Sequence, residues 1–195
     1  MSETFEQCWN VNFPNKVPIP HVLKYYFSEF WFRIHSLAES KRYADSQAEV
    51  QLLLDRQNQI ITDCFGSDTC VYLVTGNYLN PHSSSDHDVR KIISYTLTES
   101  QPINLHQIDP TYFDDGDENE SCFMPLSEHI IWKPMQHNDL LLKIANDEVE
   151  AFFISFEKKM IVAPYDGGID FILWDDLLRQ QLKDRYQYCL APDGW

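Results

Sequence analysis

No lysine or arginine occurs from Ile92 to Trp132. The same stretch holds eight carboxylates: Glu99, Asp109, Asp114, Asp115, Asp117, Glu118, Glu120 and Glu128. Across the whole chain 30 Asp and Glu face 15 Lys and Arg, for a formal net charge of −15. A field of that sign repels phosphate backbones and anionic lipid and attracts basic partners. Nucleic acid and membrane surfaces are therefore disfavoured as partners, and a basic protein is the partner class that the charge favours.

Other absences narrow the chemistry. No C-x-x-C pair exists among the five cysteines, Cys8, Cys64, Cys70, Cys122 and Cys189, so the usual zinc-ribbon and dithiol spacings are missing. Cys64 and Cys189 fall on the apolar faces of predicted helices, where a free thiol behaves as a small hydrophobe. An unpaired cysteine set fits a reducing, cytoplasmic setting. The start, Met1-Ser2-Glu3-Thr4-Phe5-Glu6, is acidic and lacks the apolar core of a secretion signal. No run of eighteen apolar residues is present to span a bilayer. There is no H-E-x-x-H, no G-x-S-x-G elbow and no phosphate-binding P-loop. No cofactor is expected.

What is present reads as a packed domain. The 195 residues are 44% hydrophobic and 14% aromatic, enough for a self-sufficient core in one domain. Residues 1–20, with Pro14, Pro18 and Pro20, read as an irregular lead-in to a short helix over 21–28. Phe30 to His35 alternates as a strand, with Phe30, Phe32 and Ile34 on one face and Trp31, Arg33 and His35 on the other. Ser46-Gln47-Ala48-Glu49 is a capping box, and the apolar period that follows predicts a helix over about 46–65, stopped by Gly66. Strands are expected over 69–75, ended by Gly76, over 91–98 and over 128–133. An acidic loop is expected over about 99–127. A helix is expected from Asn138 or Asp139 to Asp147. Three strands at 151–156, 160–163 and 169–174 suggest an antiparallel meander, and Asp175 caps a last helix over 176–190. Glycines at 167 and 168 suit a turn needing positive φ. The fold class is α+β, with a core including Leu53, Ile61, Val71, Leu73, Phe153, Ile161, Phe171 and Leu182.

Two segments resemble a family of uncharacterised bacterial proteins. One is Phe30-Trp31-Phe32-Arg33-Ile34-His35-Ser36-Leu37 with the following Ser40-Lys41-Arg42-Tyr43. The other is Pro164-Tyr165-Asp166-Gly167-Gly168-Ile169-Asp170, leading into a strand and a terminal helix. The resemblance implies a bacterial, soluble α+β protein and carries over no catalytic residue.

Candidate sites follow from charge and spacing. His82, Asp86 and His87 lie too irregularly for a zinc pair on a helix. Asp114-Asp115-Gly116-Asp117-Glu118-Asn119-Glu120 has its glycine third rather than sixth, and Pro125 where a calcium loop needs glutamate. No structural metal is expected. The run Asp114, Asp115, Asp117, Glu118 and Glu120 reads either as a solvated acidic loop or, more sharply, as a docking surface for a basic protein partner. Arg33 stands mid-strand among aromatics, so it needs a carboxylate partner or must face solvent on a sheet edge. If the two signature segments meet in space, Arg33, His35, Tyr165, Asp166 and Asp170 line a pocket. Two readings compete. One is a non-enzymatic acidic binding protein, resembling an immunity-type inhibitor of a basic bacterial toxin domain. The other is an enzyme of unrecognised class built around Arg33, His35 and Asp166.

Overall fold

Among the described residues, the first and last strands lie side by side. In the computed structural model, which describes residues 3–79, 88–113 and 121–190, all strands join one antiparallel sheet. In chain order the elements are α1 (Phe5–Asn12), α2 (Pro20–Tyr26), β1 (Trp31–His35), α3 (Gln47–Phe65), β2 (Thr69–Leu79), β3 (Thr98–Glu99), β4 (Ile103–Asn104), α4 (Leu105–Ile108), β5 (Cys122–Trp132), α5 (Asn138–Ala145), β6 (Phe152–Ser155), β7 (Met160–Tyr165), β8 (Gly168–Leu173) and α6 (Asp176–Arg185). The sheet order is β1-β8-β7-β6-β2-β5-β3, and β4 also pairs with β5. The class is α+β, as expected. No helix among the described residues is long and apolar enough to cross a membrane.

Helices cover both faces of the sheet. On one face α3, α5 and α6 bury Leu53, Ile61, Leu140, Ile144 and Leu182 against Leu73, Phe153, Val162 and Phe171. On the other, α1 and α2 bring Phe5, Trp9 and Leu23 onto Val74, Phe152, Ile154, Ile161 and Ile172. Strands β6 and β8 are buried throughout, and so is β7 apart from Tyr165. This is why they read as apolar runs rather than as alternating strands. All eight core residues expected from the sequence are buried.

Several local expectations are corrected. The lead-in is irregular only in part: α1 occupies Phe5–Asn12, with Thr4 Oγ1 accepting from Gln7 N and Gln7 Oε1 accepting from Thr4 N. At α3 Ser46 Oγ accepts from Glu49 N, but the Glu49 carboxylate turns to Asp45 N and Lys41 Nζ instead of closing the box. Strand β2 runs through Gly76 to Leu79. That glycine makes room for the Phe123 ring, which a Cβ would approach to 2.3 Å. Residues 91–98 do not form the expected strand. A 3-10 turn at Val89–Lys91 is followed by unpaired chain, in which the Glu128 carboxylate accepts from Thr96 N at 2.6 Å. The expected acidic loop contains β4, α4 and the first half of β5, so 128–133 is only the end of a longer strand. Helix α5 starts from His137 without a side-chain cap and ends at Ala145. Residues Asn80 to His87 and Asp114 to Glu120, with the His82, Asp86 and His87 group and the acidic run, lie outside the described residues.

Gly168 sets the approach of β1 to β8. A Cβ there would stand 2.2 Å from the Ile34 carbonyl oxygen and 3.0 Å from His35 Cα. Neither Gly167 nor Gly168 uses positive φ, so the reason for glycine is close packing, not turn geometry. Gly168→Ala is expected to cost at least about 1–3 kcal/mol, since the obstacle is backbone that cannot rotate away. Denaturant unfolding checks this; a loss below that range would mean that β1 can shift freely.

Buried His137 joins β5 to α5. Its Nε2 meets the Ile131 carbonyl at 3.2 Å and so carries the proton. Its Nδ1 then accepts from the Tyr95 hydroxyl at 2.7 Å. The ring stacks on Trp132 at 5.3 Å. Burial lowers its pKa from the ordinary 6.5. The neutral form is thus favoured in the fold, and the associated stability is complete above 6.5 and lost as pH falls through the lower folded value. Wild type should lose more stability than His137→Gln between about pH 7.5 and about pH 5, measured by denaturant midpoints. Equal losses would remove His137 from the acid response.

Candidate functional site

The alternation of β1 decides which side chains reach the site. Phe32 and Ile34 are buried in the core shared with α3, which leaves Trp31, Arg33 and His35 on the α2 side of the sheet. On β8 the same rule sends Ile169 and Phe171 to the α3 side and leaves Asp170 opposite. Arg33 and Asp170 are direct cross-strand partners. The two signature segments therefore meet.

The ion pair they form is bidentate. Arg33 Nε donates to Asp170 Oδ1 at 2.6 Å and Nη2 to Oδ2 at 2.8 Å. Both side chains are largely buried, 19% and 9% exposed. The guanidinium lies 4.3 Å from the Tyr165 ring centroid and 5.6 Å from that of Trp31. Burial opposes the Arg33 charge, but hydrogen bonding and attraction from Asp170 outweigh it and raise the pKa. Burial also drives the Tyr165 hydroxyl well above its ordinary value.

Arg33, Tyr165 and Asp170 line a cleft of about 530 Å³. Its walls are Pro20, His21 and Lys24 of α2, Ile144 of α5 with Asp147, Val149 and Glu150 after it, and Ser40 and Arg42. Arg33, His35, Tyr165, Asp166 and Asp170 all line it. Asp166 occupies the turn between β7 and β8, and Arg42 Nη2 donates to its carboxylate. The same carboxylate raises the Tyr43 pKa by hydrogen bonding. Pro164 is tolerated in β7 because β6 pairs only as far as Val162, so no ladder donor is missed on that side. Sequence reasoning missed His21, Lys24, Asp147 and Glu150, which reach the cleft through tertiary packing alone. Arg42 was readable as part of a signature segment, but its partner was not.

The cleft's groups are mostly committed to each other. Arg33 and Arg42 hold the two buried carboxylates, and His21 Nδ1 lies 3.2 Å from Glu150 across the mouth. Asp147 makes no ion pair among the described residues. His35 differs: its Nδ1 is buried without a partner. Burial lowers its pKa, with Arg33 adding to the effect and the Gly167 carbonyl opposing it. Among the described residues Ser40 is the aliphatic hydroxyl lining the cleft, and no cysteine lines it. The arrangement holds charges in place and offers a neutral imidazole; it presents no nucleophile tied to a base.

Beside the cleft lies a groove of about 220 Å³ with Gly76, Tyr78 and Phe123 in its walls. Asp147, Val149 and Glu150 line both depressions, and Glu148 lines the groove. No lysine or arginine lines the groove. Among the described residues no group of three or more His, Cys, Asp or Glu is arranged to hold a metal ion.

Removing one member of the Arg33–Asp170 pair leaves a buried charge. Arg33→Met is expected to destabilise by about 3–5 kcal/mol, and Arg33→Met with Asp170→Leu to recover most of that loss. Urea unfolding of the two variants checks this; a double variant no better than the single would mean that the pair contributes more than mutual compensation.

No curated protein and no solved structure matches the chain. A family model does match, over residues 19–192, and that span takes in both signature segments and every residue lining the cleft. Its description is a domain of unknown function, DUF3885. The chain belongs to the DUF3885 family.

Proposed function

We propose that the protein is a non-enzymatic binding protein that docks a basic protein partner, in the manner of an immunity-type inhibitor of a bacterial toxin domain acting in the cytoplasm. The observation that carries this reading is the disposition of charge. Much of the scarce positive charge is used internally: Arg33, Lys41, Arg42, Arg90, Lys133, Lys143, Arg179 and Arg185 pair with the chain's own carboxylates. Arg56 and Lys158 donate to backbone carbonyls. The surplus of 30 acidic over 15 basic residues is therefore left to act outward. Part of it forms the Asp147–Glu150 ridge between the cleft and the groove. The run Asp114, Asp115, Asp117, Glu118 and Glu120 adds to the same field. Nucleic acid and anionic membrane are repelled by it.

A second reading rests on His35. A neutral imidazole with a bare, buried Nδ1 beside Arg33 and Asp166 is a starting point for acid–base chemistry, and would make the protein an enzyme of unrecognised class. The first reading is preferred because the neighbouring carboxylates are already engaged by arginines.

Opposite fields speed encounter, and salt screens them. Changing Asp114, Asp115 and Asp117 to Asn and Glu118 and Glu120 to Gln should slow association with a partner captured from the native host by about tenfold or more at low salt. The salt dependence should flatten as well. Association kinetics at low and high salt measure both. An unchanged rate and slope would remove the acidic run from the interface.

A further inference from the structure

Two arginine–aspartate pairs stand in one cleft and are built differently. Arg33 and Asp170 sit opposite each other on paired strands, and both are largely buried. The second pair is lopsided: the Asp166 side chain is 6% exposed and the Arg42 side chain 65%. Asp166 is fixed in the β7–β8 turn. Arg42 reaches it from a connecting segment that follows two residues with positive φ, Glu39 at 54° and Ser40 at 57°. Beyond Asp166, the Arg42 guanidinium lies 5.6 Å from the exposed Tyr43 ring and feels the attraction of Asp147.

We propose that Arg42 is an internal stand-in for a partner's cation: it occupies Asp166 in the free protein and gives way to an arginine or lysine side chain of the docked partner. The inference rests on the docking reading above. A buried carboxylate left without a cation is strongly unfavourable, so Asp166 always needs one. Exchange of one guanidinium for another keeps the pair intact and leaves Asp166 desolvated throughout. Arg42 then moves into water, which suits a side chain already mostly hydrated. Arg33 cannot exchange in this way, because its release would break a bidentate contact inside the sheet. Asp147 and Glu150 on the cleft wall favour an incoming cation over an anion.

The test compares Arg42→Ala with wild type, using a capped hexa-arginine peptide as probe. Lys133→Ala, a charge loss outside the cleft lining, serves as control for net charge. At low salt Arg42→Ala should bind the peptide about tenfold more tightly than Lys133→Ala, because the internal competitor is gone. Adding Asp166→Asn should abolish that gain. A thermal readout guards against misfolding: methylguanidinium chloride should raise the melting temperature of Arg42→Ala, beyond the effect of sodium chloride at equal ionic strength, and not that of the double variant. If Arg42→Ala binds no more tightly than the control and gains nothing from methylguanidinium, Arg42 is a structural clip and the inference fails. In that case salt-sensitive binding of the peptide by wild type would leave the docking reading standing. No binding by wild type or any variant at low salt overturns both.

Discussion

The bond between Arg33 and Asp170 holds the site together. It ties β1 to β8 across direct partners and places a guanidinium against Tyr165. A largely buried charged pair is costly to desolvate and is compensated only by good geometry. The two short bonds and direct cross-strand register supply that geometry. Gly168 is the complementary requirement, since any larger residue would hold β1 away. Pair and glycine act on the same joint, one by attraction and one by leaving space.

Much of the fold was legible because its signals are local. Helix α3 declares itself through Ser46 and its apolar period, and the β6–β8 meander through turns at 156–159 and 166–167. The failures have physical causes. Helix α1 carries only Phe5 and Trp9 as a buried period, too little to read, although Thr4 and Gln7 formed a visible capping box. Ile93, Tyr95 and Leu97 alternate as a strand would, yet Glu128 takes the Thr96 N–H and the pairing edge of β5 goes to β3 and β4 instead. Gly76 looked like a terminator because its true neighbour, Phe123, is distant in sequence.

The candidate site divides in the same way. Arg33 was readable as a cation needing a partner, since a mid-strand arginine among aromatics has few alternatives. Asp166 and Asp170 stood out only as part of a turn-rich segment. His21, Lys24, Asp147 and Glu150 carried no signal, because the cleft is made by α2 and the 144–150 segment closing over the sheet. The division between the two arginines was likewise invisible: Arg33 and Arg42 look equivalent in the sequence, yet one is embedded and the other is tethered at its tip.

The adjacency of β1 and β8 also bears on how the chain acquires its shape. Arg33 and Asp170 are separated by 137 residues, so their strand pairing is among the most non-local contacts in the molecule. Closing so large a loop carries an entropic cost that must be met before the pair contributes anything, and such topologies fold slowly. During synthesis β1, with its Trp31 and Phe32, emerges long before the hairpin that receives it. Until β7 and β8 arrive, an aromatic strand edge and an arginine without its carboxylate remain open to other contacts. The order of the sequence thus makes β1, synthesised well before β8, one of the last strands to find its place, and the cleft is a late product of folding, completed only when the β7–β8 hairpin docks.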